Sequence, residues 1–322
     1  MNRVDPAQYD ALTPYAVLAA SAVDFDLTTA SRAERPRRQS SHDLRSALVH
    51  HLTLFWHTVA TEPGRYDEDQ LTLSSTANEL VENALQSTRP LDRFLARKRA
   101  ELPHLVNQTS GRDAARAAST WSEIRGDQIL SRAFDTHMVT RATTAEVFPE
   151  KLFARPVGVV VDVGGGPGHY LARALKAAGL RWRGVILETY PDAGWWIAAN
   201  SDLTTRTELI IVPPGPISEP PPAHLYILGS VLHDLTDNNA KDLLSECHEA
   251  GHEGSWIVVI ERDFDPADLR HSARNLDMNI LFGGRERTPA EHKAMIESAG
   301  FSDISVSKTR DAYQVLIAGK GA

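Results

Sequence analysis

The sequence predicts an α/β fold, in which a seven-stranded, mostly parallel sheet follows a mainly α-helical N-terminal domain. From residue 157 onward, apolar runs rich in β-branched residues alternate with helical segments. This alternation is typical of parallel strands covered by helices on both faces. The last two runs are separated only by Thr309, Arg310 and Asp311. Because this turn is too short for a crossover helix, these two strands must pair antiparallel.

Each strand is predicted from a short apolar run bounded by turn residues. The predicted strands span residues 157–163, 184–188, 208–212, 225–229, 255–261, 303–308 and 312–318. The clearest helix follows the fifth strand: Thr288 is its predicted N-cap, Pro289 its first residue, and Gly300 its end. Glu291 completes a capping box with Thr288, so we interpret Glu291 as structural.

The N-terminal domain shows helical patterns and one predicted hairpin, at residues 61–76. Helices followed by a hairpin resemble a winged-helix module. The predicted recognition helix, residues 46–59, carries histidines and apolar residues in place of an Arg/Lys face, which favours dimerisation over DNA binding. We therefore predict domains at 1–150 and 151–322, with a DNA-binding regulator as the non-enzyme alternative. The helical patterns cover residues 15–23, 44–59, 78–85 and 120–134.

The composition of the chain excludes several classes of partner and indicates its cellular compartment. The chain has 322 residues and a net charge of −8, which argues against nucleic acid or an anionic membrane as a partner. Cys247 is the only cysteine, so the chain forms no internal disulfide, as expected in a reducing cytoplasm. The sequence shows no membrane-spanning run and no signal peptide, and we predict a cytoplasmic protein.

A glycine-rich turn follows the first predicted strand, within the segment VVVDVGGGPGHY. Such a turn lets a ligand approach the backbone beside unpaired N–H groups at a helix start. The glycines at 164, 166 and 168 do not fit the dinucleotide fingerprint, whose third glycine would fall at His169. Glu188 ends the second strand, where a carboxylate can accept hydrogen bonds from a ribose diol. The turn and Glu188 together predict a nucleoside ligand at the carboxyl edge of the sheet.

Five stretches resemble, in the same order, the small-molecule O-methyltransferases of the plant caffeate/hydroxyindole type and their bacterial natural-product relatives. They are VVDVGGGPGHY, LETYP, VLHDLTDNNAKDLLSECHEA, VVIERDF and DMNILFGGRERTPAEHKAMIESAGF, and they cover most of residues 157–318. The resemblance implies a Rossmann-like domain that binds S-adenosylmethionine. It also implies an intertwined homodimer that methylates a hydroxyl of an aromatic or polyketide-like small molecule in secondary metabolism.

The resemblance makes His233 the general base, flanked and oriented by Glu261 and Glu286. An imidazole can accept a phenol's proton, and a carboxylate on its other nitrogen fixes the tautomer. Cofactor binding is assigned by the resemblance to Asp162, Gly164, Gly166, Gly168, Glu188 and Gly215. Substrate contacts are assigned to Trp121, Arg125, Met278 and Phe282.

The chain departs from the family pattern at three positions. Pro216 replaces the Asp expected after Gly215, Gly229 replaces a Lys or Arg, and His292 replaces an aromatic residue. A catalytically silent relative without cofactor therefore stays an alternative, as does N-methylation. So does a metal-assisted C-methylation of a 2-oxo acid, in which His233, Asp234 and His292 would supply two imidazoles and one carboxylate.

Residues 248–252 read HEAGH, which formally matches the HExxH pattern of zinc proteases. That pattern requires both histidines on one continuous helix. The helix is predicted to end at Gly251, and a strand follows almost at once. We therefore predict no metal site at this motif.

Overall fold

The computed structural model describes residues 90–100, 113–199, 201–266 and 281–321, with a few single positions between 268 and 278. The helices predicted before residue 86 and the predicted hairpin lie outside the described residues. The chain divides into two compact units, residues 1–112 with 265–281, and residues 113–264 with 282–322. The predicted domain boundary at residue 150 stays a prediction.

Three helices precede the sheet. Helix α1 (Pro90–Ala100) belongs to the first unit and buries Leu91 and Phe94. The second unit begins with α2 (Asp113–Gly126) and α3 (Gln128–Arg141). The helical pattern at residues 120–134 is thus divided between two helices. The break occurs at Asp127, whose carboxylate caps α3 by accepting the N–H groups of the second and third residues of the helix.

The sheet has seven strands in the order β3-β2-β1-β4-β5-β7-β6. The first five run parallel, whereas β7 lies between β5 and β6 and pairs antiparallel with both. All seven predicted strands are confirmed to within two residues at each end, and so is the antiparallel hairpin. The strands are β1 (Gly158–Val163), β2 (Trp182–Glu188), β3 (Thr207–Ile211), β4 (Leu225–Gly229), β5 (Trp256–Arg262), β6 (Ser302–Lys308) and β7 (Tyr313–Gly319).

Helices cover both faces of the sheet, and each face has its own apolar cluster. Leu171 and Leu175 of one helix pack in the first cluster, and Leu244 and Ile296 of two others pack in the second. Each such side chain contributes about 1.5–3 kcal/mol when fully buried, so the two layers fix the sheet firmly. The helices are α4 (His169–Ala178), the short α5 (Trp195–Ala198) and α6 (Ser201–Thr204), α7 (Asp237–Ala250) and α8 (Pro289–Ser298).

The architecture gathers the carboxyl ends of the parallel strands at one edge. The glycine loop follows β1, Glu188 ends β2, and Glu261 is the penultimate residue of β5. A short 3-10 turn, Leu232–Asp234, follows β4 and is called the HD turn below. The sheet therefore brings the predicted functional segments to the same edge.

The two histidines of HEAGH do not share a helix face. Helix α7 ends at Ala250, and Gly251 is its C-cap, as predicted. His252 lies beyond the helix, with its ring 4.4 Å from that of His224. The ring of His248 instead packs edge-on against Phe301 at 4.9 Å.

None of the helices of the described residues combines the length and the apolar character that a bilayer crossing requires.

The capping box of α8 provides a test of local stability. The Thr288 hydroxyl accepts the Glu291 N–H at 3.2 Å, and a Glu291 carboxylate oxygen accepts the Thr288 N–H at 2.8 Å, as predicted. We expect Thr288→Ala to lower the free energy of unfolding by about 1 kcal/mol, because a helix N–H loses its partner. Thr288→Ser should retain most of the stability. Urea denaturation measures both, and equal stability of all three proteins would contradict the capping role.

Candidate active site

The loop between β1 and α4 takes its shape from glycines in the left-handed region. Gly164, Gly166 and Gly168 have φ values of 63°, 51° and 83°. A Cβ atom at position 168 would lie 2.8 Å from the Ile197 side chain, so that position has neither the conformation nor the space for another residue. The loop therefore presents bare backbone at the edge of the sheet.

Glu188 connects the end of β2 to this loop. One of its carboxylate oxygens accepts the Gly166 N–H at 3.2 Å, and the other accepts the Thr189 N–H at 2.7 Å. The side chain is buried, and burial raises its pKa, although the two N–H donors act in the opposite direction. The structure thus brings together the glycine loop and the strand-end acid that the sequence predicted as partners.

Asp162 lies beneath the loop. Its carboxylate accepts the N–H of Leu171, in the first turn of α4, at 3.2 Å. A Cβ atom at position 165 would lie 2.7 Å from the Asp162 carboxyl carbon, so the acid fills the space under that glycine. Burial raises the pKa of Asp162 to about 8. Asp162 therefore shapes the loop, and its assignment as a direct cofactor contact stays a prediction.

Gly215 lies in the connection after β3 and has a φ of 140°. A Cβ atom there would meet nothing within 4 Å, so packing within the described residues does not explain this glycine. Ile217 does reach the loop, with its side chain 3.6 Å from the Cβ position of Gly164. The predicted contact of Gly215 with a cofactor stays a prediction.

The departure at Gly229 has a packing explanation. A Cβ atom there would lie 2.5 Å from the ring of Tyr170, which occupies the space that a longer side chain would need. Tyr170 is itself buried, and its hydroxyl accepts the Thr143 N–H at 3.3 Å. Gly229 and Tyr170 are thus complementary, a relation that sequence reasoning missed because the two residues lie on different elements.

His233 is held in the HD turn by Glu261. Its Nδ1 atom lies 2.8 Å from Glu261 Oε2, and its Nε2 atom lies 3.4 Å from Asp234 Oδ1. The second oxygen of Glu261 accepts the N–H groups of Val231 and Leu232 at 3.1 and 2.8 Å. One fully buried carboxylate therefore fixes both the imidazole and the backbone that carries it.

The charges around His233 determine its protonation. Burial lowers the pKa of His233, but the carboxylates of Glu261, Asp234 and Glu286 outweigh burial and raise the pKa to about 10. Burial raises the pKa of Asp234 to about 7 despite the opposing effect of the imidazolium. Burial also disfavours ionised Glu261, yet the imidazolium dominates and keeps its pKa below the ordinary value. The surrounding carboxylates therefore make His233 a stronger base than a free imidazole.

Three aromatic rings form a wall within the same unit. Trp121 on α2 meets Phe134 on α3 edge-on, with the ring centroids 5.3 Å apart. On its other side, Trp121 lies 5.0 Å from Phe282. Both Trp121 and Phe282 are predicted substrate residues, and the structure places them in contact.

Arg125 adds a cation to this region. Its guanidinium lies 3.6 Å above the centre of the Tyr190 ring and donates to Asp135 at 2.8 Å. Buried Asp135 also accepts the Tyr190 hydroxyl at 3.1 Å and Trp195 Nε1 at 3.2 Å. Sequence reasoning missed Asp135. The only signal in the sequence was that this acid directly follows an aromatic residue, Phe134. Met278, the fourth predicted substrate residue, is helical and half-buried in the first unit.

Sequence reasoning also missed Arg287, which is fully buried. Its guanidinium donates to the carbonyls of Leu232 and Leu235, at 2.5 and 2.8 Å. Asp237 Oδ1 balances its charge at 2.8 Å. Arg287 thus donates hydrogen bonds to backbone carbonyls of the HD turn and its flank, while Glu261 accepts hydrogen bonds from backbone N–H groups there.

Comparison with known proteins decides the family. The O-methyltransferase domain family matches residues 101–302. The chain belongs to this O-methyltransferase family. The acetylserotonin O-methyltransferase of Bos taurus is 33% identical over 170 residues, which cover 51% of this chain and 48% of that protein. The 2,7-dihydroxy-5-methyl-1-naphthoate 7-O-methyltransferase of Streptomyces carzinostaticus is 32% identical over 194 residues, 57% of this chain and 55% of that one. This chain thus matches about half the length of these curated relatives.

Solved structures of O-methyltransferases share the α/β methyltransferase fold with this chain. An O-methyltransferase from neocarzinostatin biosynthesis, in complex with S-adenosyl-L-homocysteine and 1,4-dihydroxy-2-naphthoic acid, superposes with a TM-score of 0.58 at 23% identity and covers 100% of both chains. The mitomycin 7-O-methyltransferase gives a TM-score of 0.54 at 22% identity, covering 97% of this chain and 96% of that one. At this identity the likeness establishes the α/β methyltransferase fold, with its mostly parallel sheet and antiparallel end hairpin.

The buried acid under the glycine loop predicts a pH-dependent stability. The pKa of Asp162 rises from an ordinary 3.8 to about 8 on folding, so the folded protein binds an extra proton between these values. Its free energy of unfolding should therefore fall as the pH rises from about 4 to about 8. Asp162→Asn removes the titration but keeps an oxygen for the Leu171 N–H. We expect this variant to gain stability relative to the wild type as the pH rises.

Urea denaturation across this pH range measures the effect of Asp162→Asn. The matched control is Asp192→Asn, which changes an exposed aspartate on the same unit. Parallel stability curves for the wild type and Asp162→Asn would contradict the assignment of a protonated Asp162.

Proposed function

We propose that this protein is an S-adenosylmethionine-dependent O-methyltransferase that methylates a hydroxyl of an aromatic or polyketide-like small molecule in secondary metabolism. The observation that carries the proposal is the ion pair of His233 with Glu261, located at the same sheet edge as the glycine loop and Glu188. Family membership supports it, and so do the relatives named above, which are O-methyltransferases.

The glycine loop and Glu188 suit S-adenosylmethionine. The bare backbone of Gly164, Gly166 and Gly168 would cradle the cofactor, with Gly215 on the adenine side. A carboxylate offers about four lone-pair sites, and two backbone N–H groups already use two of those on Glu188. The remaining sites can accept the ribose hydroxyls. When bound, the cofactor supplies an electrophilic methyl group on a sulfonium.

His233 acts in this proposal as the general base. A phenol has a pKa of about 10, close to the raised pKa of His233, so proton transfer between them costs little free energy. Nδ1 faces Glu261, which leaves Nε2 to receive the substrate proton. Glu261 stabilises the resulting imidazolium, and Glu286 adds a second negative charge from the loop before α8.

The aromatic wall favours a flat, aromatic molecule as the methyl acceptor. Trp121, Phe134 and Phe282 present ring surfaces that bind aromatic molecules by stacked or edge-on contacts. The Arg125 guanidinium lies against the same wall, 5.2 Å from the Trp121 ring centre. We propose Trp121, Arg125 and Phe282 as substrate contacts, with Met278 as a further contact assigned from the family resemblance.

The proposal extends to the whole chain. The predicted winged-helix-like domain, residues 1–150, would mediate formation of a homodimer. The protein would bind a small-molecule substrate, and it would bind neither nucleic acid nor a membrane. The net charge of −8 supports this choice, and so does the predicted recognition helix, residues 46–59, whose sequence contains no Arg or Lys. We also propose a cytoplasmic location, which the single cysteine fits. Light scattering on the full chain tests the dimer, and a monomer mass would refute it.

The base assignment predicts the outcome of one substitution. His233→Ala should lower methyl transfer by about 10²–10⁴-fold, because the phenol loses its proton acceptor. Transfer of labelled methyl from S-adenosylmethionine is followed with 1,4-dihydroxy-2-naphthoic acid and with N-acetylserotonin as acceptors. His252→Ala, at an exposed site beyond the end of α7, is the control and should retain activity. Unchanged turnover in His233→Ala would refute the base assignment.

Cofactor binding predicts a second outcome. Calorimetric titration with S-adenosyl-L-homocysteine should show one site per chain in the wild type, and Glu188→Gln should bind at least about tenfold more weakly. The reason is that a charged hydrogen bond to ligand contributes about 1.5–3 kcal/mol. Glu208→Gln, an exposed change on the adjacent strand β3, should bind like the wild type. Failure of the wild type to bind would overturn the proposed function.

A further inference from the structure

A buried polar pair, Gln314 and His292, lies behind the proposed catalytic residues and has no role in the proposed reaction. Gln314 on β7 is directly opposite Glu261 on β5 in the antiparallel pairing of the two strands. Gln314 is fully buried and His292 nearly so. Placing two neutral polar side chains in a core is costly unless hydrogen bonds compensate, which makes their contacts informative.

The side-chain amide of Gln314 bridges two segments of backbone. Its Nε2 atom donates to the carbonyl of Arg262 at 3.0 Å and to the carbonyl of Arg287 at 2.8 Å. Arg262 directly follows Glu261, and Arg287 directly follows Glu286. A single amide therefore ties together the two segments that carry the carboxylates beside His233.

His292 fixes the orientation of this amide. Both N–H bonds of the Gln314 amide point at carbonyls, so its oxygen must face His292, whose Nδ1 lies 3.2 Å away. An amide oxygen only accepts, so Nδ1 carries the hydrogen and Nε2 is the unprotonated atom. That Nε2 atom has no hydrogen-bond partner among the residues that the structure describes. Burial lowers the pKa of His292, which keeps the ring neutral in this orientation.

The hydrogen bonds of Gln314, called the frame below, continue through Arg287 to the backbone of His233. Arg287, whose carbonyl Gln314 holds, donates to Leu232 and Leu235 on either side of the base. The loop before Arg287 also packs directly on the HD turn, since a Cβ atom at Gly284 would lie 2.1 Å from the His233 carbonyl oxygen. Displacement of the Arg287 segment would therefore move His233.

We propose that Gln314 is a positioning residue for the proposed base, because its amide sets the spacing between the segments that carry Glu261 and Glu286. This inference rests on the proposed function. Within the part of the chain that the structure describes, the charged and titratable groups that face His233 are Asp234 in its own turn, Glu261 on β5 and Glu286 in the loop before α8. His292 on α8 and the Arg287 guanidinium lie in the same frame. Gln314 acts through the geometry of this set and does not itself touch the reacting atoms.

The first experiment measures the ring of His233 directly, without a substrate. Nitrogen-detected NMR titration is carried out on the full-length protein with S-adenosyl-L-homocysteine bound, and His233→Ala assigns the signal. Gln314→Met keeps the length of the side chain but removes all three hydrogen bonds. We expect the pKa of His233 to fall by about one unit or more, because the carboxylates are no longer held beside the ring.

Two further variants keep this experiment decisive. Gln314→Asn is polar but one methylene shorter, so it cannot span both carbonyls and should also lower the pKa of His233 if Gln314→Met does not fold. Ile317→Ala lies on the same strand, destabilises the core and touches none of the frame. It should leave the pKa unchanged. An unchanged pKa in both Gln314 variants, or an equal fall in Ile317→Ala, overturns the positioning role.

Kinetics separate this inference from the proposed function. With an accepted phenol, Gln314→Met should lower kcat about tenfold or more, with little change in KM or in affinity for S-adenosyl-L-homocysteine. In a His233→Ala background it should cause no further loss, because both changes act on one unit. Full activity in His233→Ala would refute the base assignment. A large loss in His233→Ala combined with unchanged kcat in the Gln314 variants would refute only the positioning role.

Discussion

The ion pair between Glu261 and His233 is the interaction on which this site depends. Removing a carboxylate from water costs several kcal/mol, so fully buried Glu261 requires compensation on both oxygens. The His233 ring compensates one oxygen, and the N–H groups of Val231 and Leu232 compensate the other. The same contacts that make the burial tolerable thus fix the HD turn and raise the pKa of His233 toward that of a phenol. Stability and chemistry are coupled here through one side chain.

That coupling requires the ends of β4 and β5 to lie side by side. Their parallel pairing runs to Gly229 and Ile260, which places the HD turn next to Glu261. At Gly229, the Tyr170 ring occupies the space that a Cβ atom would need. The departure from the family pattern at Gly229 is therefore matched by a neighbouring aromatic ring, and it leaves the ion pair intact.

Buried acids also hold the glycine loop, on the part of the sheet edge where a nucleoside is proposed to bind. Two buried acids, Asp162 below the glycine loop and Glu188 beside it, each accept a backbone N–H that holds the loop. Asp135 then links the chain after β2 to helix α3 through Tyr190 and Trp195. Hydrogen bonds of Asp135 therefore join helix α3, which carries Phe134, to the chain that follows Glu188.

The sequence by itself determined the seven strands, the antiparallel hairpin, the end of α7 and the capping box of α8. These features depend on periodicity and short spacings, which are local properties of a chain. The glycine loop could also be read locally, because a cluster of glycines is typical of a turn whose backbone adopts positive φ values. Resemblance to a family, rather than local pattern, placed His233 with Glu261.

Only the tertiary structure decided the roles of Asp162, Tyr170, Arg287 and Gln314. Arg287 reaches carbonyls 55 and 52 positions away, and the Gln314 amide reaches one 52 positions away. Local sequence patterns do not reveal such pairings, because they are set by strand register and by the packing of α8 against the sheet. Buried polar residues within apolar runs gave the one available signal, and it could not name their partners.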